Sequence, residues 1–163
     1  MQLELINPIV KAALDVLRSE LNTDVKRGKA AVVSGDVLGN DLTILIAVTG
    51  ALEGIIAYVL DANVACNMAS EMMGEEFTTL DDIVQSGIAE VGNVISGRAV
   101  MSLSSLGLDT RIAPPALLLG QDTRISTLDI PRLLVPIELR FGTIYMHIAL
   151  KPTSLAPNPV AGA

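Results

Sequence analysis

The segment from Asp82 to Ser105 reads as one long helix that must bury one face and expose the other. Leu80, Val84, Ile88, Val91 and Ile95 recur at helical spacing. At about 100° per residue they cluster on one arc, while Ser86, Glu90, Asn93 and Gly97 fall within an arc of roughly 60° centred about 140° away. The apolar arc needs a core to receive it, so the rest of the chain has to supply a sheet or further helices. The other arc presents a carboxylate and a carboxamide three residues apart, which places them on the same helix face. Gly87, Gly92 and Gly97 lie in the same helix. Each weakens a helix by roughly 1 kcal/mol, so their presence predicts close approach by something else.

The core has an unusual palette. The chain has 163 residues, enough for one domain with a substantial core, and half are hydrophobic, with only two Phe, two Tyr and no Trp. Val, Ile, Leu, Ala and Met must fill the interior. Net charge is -7 and the sequence pI is about 4.5, which argues against a nucleic-acid partner, because phosphate backbones call for clustered Lys and Arg. The one basic cluster, Lys26-Arg27-Gly28-Lys29, is too short for such a patch.

Cys66 is the single cysteine; it forms no internal disulfide, and its apolar neighbours predict a buried, inert thiol. His147, the single histidine, sits in Ile144–Leu150 and reads as a strand residue. There is no His-Cys-acid cluster for a metal and no Ser-His-Asp order, P-loop or GxGxxG. Leu42 to Leu60 has one charge, Glu53, and length enough to span a membrane. Its β-branched residues and the turn Thr49-Gly50-Ala51-Leu52-Glu53-Gly54 predict a buried hairpin instead. The opening MQLELINP lacks the basic-then-apolar order of a signal peptide. The expectation is a protein without membrane insertion, located in the cytoplasm.

Along the chain, Asn7 is expected to cap a first helix with Pro8 at its first position, running to about Leu21 with Ile9, Ala12, Ala13, Val16 and Leu17 as its apolar stripe. Strands follow over Lys29–Leu38, Asp41–Gly50 and Leu52–Leu60. Asp61 caps a second helix over Ala62–Met73 that Gly74 ends. Thr78 or Thr79 starts the long helix, and Gly107 closes it. Further strands are expected over Arg111–Leu119, broken by Pro114-Pro115, then Arg124–Ile130, Arg132–Phe141 and Thr143–Leu150. Pro136 marks its strand as an edge or a bulge. Two strand-turn-strand stretches, 42–60 and 133–150, resemble each other, each with a glycine (Gly54, Gly142) opening a strand that carries Ile and Tyr. The fold class expected is α+β: a pseudo-two-fold domain over residues 1–151, with an antiparallel sheet packed against long helices. The tail 152–163 lacks periodicity and is expected to be disordered.

Ser86, three residues, Glu90, two residues, Asn93, followed by Pro114-Pro115, resembles the signature of the CheC/CheX/FliY phosphatases. Pro115 falls one residue short of that family's usual spacing. The Asn7-Pro8 helix, the Gly50/Gly54 hairpin and Met73-Gly74-Glu75-Glu76 before the long helix are also similar to CheX. CheC-type members carry two Glu-x-x-Asn motifs. Glu4 and Asn7 have that spacing, but Asn7 reads here as a cap, so a single motif makes the chain CheX-like and its fold CheC-like.

The resemblance implies a phosphatase of a phosphorylated response regulator of the CheY type. The regulator would supply the phospho-aspartate, a Lys and Mg²⁺, with no cofactor or metal of the protein's own. Glu90 and Asn93 are then the catalytic pair: Asn93 orients the attacking water and Glu90 engages the regulator's Lys. Ser86, Gly97 and Pro115 shape the partner-binding cleft. A rival reading is a non-catalytic regulator-binding module related to flagellar switch domains. The resemblance also implies a homodimer, and the Leu-, Ile- and Val-rich strand with Pro136 and its neighbour with His147 are the expected edges for it.

Overall fold

The computed structural model describes residues 3–127 and 130–157. One sheet of eight strands carries three helices on one face. The elements run α1 (Leu3–Leu21), β1 (Val25–Arg27), β2 (Ala31–Val33), β3 (Val37–Leu38), β4 (Leu42–Gly50), β5 (Leu52–Leu60), α2 (Ala62–Met73), α3 (Asp82–Ser105), β6 (Thr110–Ile112), β7 (Ala116–Leu119), β8 (Arg124–Ile125), β9 (Arg132–Leu139) and β10 (Gly142–Pro152).

The sheet order is β1-β9-β10-β5-β4-β6, with β2 also on β9, β7 also on β4, and every pairing antiparallel. The two hairpins β4–β5 and β9–β10 meet where β5 pairs with β10, which is the pseudo-two-fold arrangement expected from the repeat. The repeat extends to the backbone: Gly54 and Gly142 have φ of 139° and 145°. Leu42, Ile44, Ile46, Ile56, Tyr58, Val135, Ile137, Met146 and Ile148 alternate onto the helix side and are buried there. They meet Ile9, Ala13, Val16 and Leu17 of α1, Val64, Ala65, Met68 and Ala69 of α2, and Val84, Ile88, Ile95 and Ala99 of α3 in one core. On the other face the β3–β8 pair covers Ala57 and Val59 with Val37 and Ile125.

The helix ends follow local chemistry. Asp61 accepts from the Val64 amide (2.7 Å), and Gly74 closes α2 at φ 69°. Asp81, not Thr78 or Thr79, caps α3 by accepting from the Val84 amide (2.9 Å). Its carboxylate is the stronger acceptor beside the positive helix end. At the other end the amides of Gly107 and Leu108 donate to the carbonyls of Ser104 and Leu103, a Schellman closure with Gly107 at φ 82°.

Several expectations need correction. Asn7 is not a cap: α1 begins by Leu3 and Pro8 lies inside it. Pro8, past the first turn of α1, has no amide to donate to the Glu4 carbonyl and so costs the helix one backbone hydrogen bond. Burial of Ile6 beside Ile9 and Val10 offsets that cost. Pro136 is not on an edge, because β9 has neighbours on both sides; His147 lies on β10, a central strand. Between β1 and β2, residues 28–30 face 135–136, so the edge path bulges opposite Pro136, and the Gly28 amide donates to the Pro136 carbonyl (2.8 Å). At the start of the tail, Pro152 ends β10 paired with Leu52, and the Thr153 hydroxyl donates to the Gly50 carbonyl (2.6 Å). Residues 158–163 lie outside the described residues. So do 128 and 129 of the expected strand 124–130, of which β8 covers 124–125. The expected strand 29–38 is two short ones, divided by Ser34-Gly35-Asp36 with Gly35 at φ 82°.

Candidate functional site

α3 is held from beneath. Val84, Ile88, Ile95 and Ala99 are fully buried or nearly so, and Ser96, also buried, sits 3.1 Å from the hydroxyl of Tyr58 on β5. Burial raises the Tyr58 phenol's pKa, so it stays a neutral hydrogen-bonding partner. Gly92 lets the helix settle on the sheet: a Cβ there would lie 3.0 Å from Ile44 Cγ2 and 3.6 Å from the Tyr58 ring. This fixes the rotation of α3 about its axis, and with it what points outward.

Ser86 and Glu90 are exposed, and Asn93 and Gly97 are partly exposed, all on the outward stripe. The structure therefore brings four of the five predicted site residues onto one helix face. Pro115, half-buried, stands apart from that helix, in the link between β6 and β7. Both of those strands contact α3, so Pro115 belongs to the flank of the site rather than to its stripe. The helical glycines sort differently from the sequence expectation. Gly92 serves internal packing, Gly87 would touch Met73 Cε at 2.8 Å, and Gly97 has open space around it.

Neither Glu90 nor Asn93 lines the cleft beside α1. That cleft, about 1380 Å³, runs between α1, the end of α3 and Pro152–Pro157. Arg98, on α3, is exposed and lines it. The cleft also holds Glu4 and Asn7, brought onto one face by the early start of α1. The sequence shows the spacing of this pair, but taking Asn7 as a cap and Pro8 as the helix start sets it aside, whereas α1 carries both residues inside the helix. Among the described residues no group of three or more His, Cys, Asp or Glu is placed to hold a metal, and no helix is long and apolar enough to cross a membrane. Cys66 is buried, and burial pushes its thiol's pKa up.

The helix-backed antiparallel sheet with meeting hairpins defines a CheC-like α+β domain. A CheC-like superfamily protein from Shewanella sp. PV-4 superposes with a TM-score of 0.85 at 25% identity, covering 93% of this chain and 99% of that one. Residues 42–138 match the family described as Chemotaxis phosphatase CheX, and the chain belongs to that family. It is 31% identical over 128 residues to the CheY-P phosphatase CheX of Thermotoga maritima, spanning 78% of this chain and 83% of that protein. It also superposes, with a TM-score of 0.79 and 32% identity, on a chain of the CheX-CheY-BeF3-Mg²⁺ complex from Borrelia burgdorferi, covering 90% and 97% of the two.

Proposed function

We propose that the protein dephosphorylates the aspartyl phosphate of a CheY-type response regulator. The observation that carries this is the outward presentation of Glu90 and Asn93, side by side on an α3 clamped from behind, in a chain of the CheX family. Hydrolysis of an acyl phosphate needs an in-line water and charge neutralisation, with little covalent help. Water attacks phosphorus, the bond to the aspartate oxygen breaks, and inorganic phosphate and a free carboxylate result. The Asn93 carboxamide both donates and accepts, so it orients the water toward phosphorus. Glu90 pairs with a Lys of the regulator and fixes the register of docking. The regulator brings the Mg²⁺ that neutralises the phosphoryl oxygens. Ser86, Gly97 and Pro115 leave room for its approach. A cytoplasmic location and a homodimer belong to the same reading. The sheet edges open to a second copy are β1–β2 and β6–β7, and sedimentation at micromolar concentration tests the dimer: a monomer there removes it.

The decisive experiment is CheY-P hydrolysis by wild type and Asn93→Ala. The expected result is rapid loss of phosphate with wild type and almost none with the variant, at unchanged melting temperature. Wild type that binds CheY-P without hastening its decay would make the protein a binding module. A fully active variant would remove Asn93 from the chemistry.

A further inference from the structure

The outward stripe of α3 is polar at its centre and apolar at both ends. Ile83 is 55% exposed and Met101 73% exposed. At 100° per residue each lies within roughly 20° of the direction of Glu90, and at 1.5 Å per residue they stand about 27 Å apart. Two flanking elements add to them. Met73, 41% exposed at the end of α2, has its Cε beside Gly87. Leu117 of β7 pairs with Ile44, the residue that Gly92 packs on. Directly opposed residues share a sheet face, so Leu117 lies on the helix side, beside α3, and Leu119 follows two residues on. Five of the ten large apolar side chains exposed among the described residues thus border this one helix face.

Apolar side chains gathered around a polar centre mark a contact surface rather than scattered exposure. Water orientation by Asn93 also requires bulk solvent to be kept out, which a convex helix cannot do alone. A stable protein–protein contact buries roughly 800 Å² on each side, a patch about 28 Å across; the Ile83–Met101 span matches a folded partner, not a short peptide. We infer that Ile83 and Met101, helped by Met73 and Leu117, form an apolar collar that seats the folded phosphorylated regulator over Glu90 and Asn93. The collar rests on the phosphatase reading above and adds to it the residues that set affinity. Methionine suits the role, because its unbranched thioether adapts to an imperfectly matched surface.

The test uses the full chain. Titration with CheY loaded with BeF3 and Mg²⁺ gives affinity, and CheY-P decay gives KM and kcat. Ile83→Ala and Met101→Ala should each weaken binding several-fold and together about tenfold or more. The loss should fall in KM rather than kcat, and Met101→Lys should be worse. Unchanged affinity and KM in the double variant, in an assay where Asn93→Ala is inactive, overturns the collar and leaves the phosphatase reading intact. A shift of the double variant from dimer to monomer with unchanged affinity for CheY also overturns it, by making the surface a contact between copies of this chain. Should Asn93→Ala prove fully active, the reading beneath the collar fails with it.

Discussion

Gly97 is the one helical glycine of α3 that nothing inside the protein explains. Apart from its chain neighbours and the backbone of its own helix, no atom lies within 4 Å of where its Cβ would stand. Alanine should therefore stabilise the helix by about 1 kcal/mol and raise the melting temperature. If the regulator's backbone passes over this notch, the same change should cut CheY-P turnover; a stabler variant with undiminished turnover would strip Gly97 of any part in docking. At Glu90, Glu90→Lys should impair turnover more than Glu90→Ala, because it sets like charge against the regulator's Lys. Wild-type affinity and turnover in both variants would reduce Glu90 to a solvated surface charge. The Glu90–Asn93 pair was legible in the sequence because α3 has a long apolar period that fixes which arc faces out. Ile83 and Met101 were not singled out, since one exposed apolar residue carries no signal until its neighbours in space are known.

Among the elements, α1 repeats the motif without the setting. Its exposed stripe runs Glu4, Asn7, Lys11, Asp15, at the same offsets as Glu90, Asn93, Gly97 and Met101. Where α3 has an open notch and an apolar anchor, α1 has the Lys11–Asp15 ion pair. Asn7→Ala should accordingly leave CheY-P turnover at the wild-type rate; a marked loss would mean that α1 takes part. The β4–β5 hairpin, α2 and the end of α3 were readable because caps, turns and β-branched runs agreed there. The start of α1 was not, because burial of Ile6 overrides the local preference at Asn7-Pro8. β1 escaped notice because three residues are too few to show alternation, and only Val25 of them is buried. Pro136 announced a bulge correctly, but sequence alone could not show that the irregularity lies in the neighbouring path. Gly54 is the element-scale weak point: a Cβ at its φ of 139° would meet the Ala149 carbonyl oxygen. Gly54→Ala should cost at least about 2 kcal/mol, measurable by denaturant unfolding.

At the scale of the whole molecule, His147 and Arg132 are buried together on β10 and β9, opposite the helices. Arg132 Nε donates to His147 Nδ1 (3.2 Å), and its Nη1 donates to the Gly35 carbonyl. Burial first, and the guanidinium second, push the His147 pKa down to about 4 from 6.5. Folding thus favours the neutral ring. Its contribution is complete above pH 6.5 and is lost as pH falls toward 4, with a slope of at most about 1.4 kcal/mol per pH unit. Unfolding free energies at pH 7, 5.5 and 4.5 should show this decline, and His147→Gln should flatten it. An equal decline in the variant would assign the acid sensitivity to other groups.

Glu90 and Asn93 stand on a convex helix, outside the cleft beside α1. A convex site has no walls to detain a small substrate. On the phosphatase reading, free acetyl phosphate, chemically much like the phospho-aspartate, drifts past unhydrolysed, since nothing holds it against Asn93. The working centre exists only while the regulator's body closes over the helix. The cell can then keep many copies of the protein without a leak in its store of acyl phosphates, and an inhibitor of ordinary drug size would find nothing to fill.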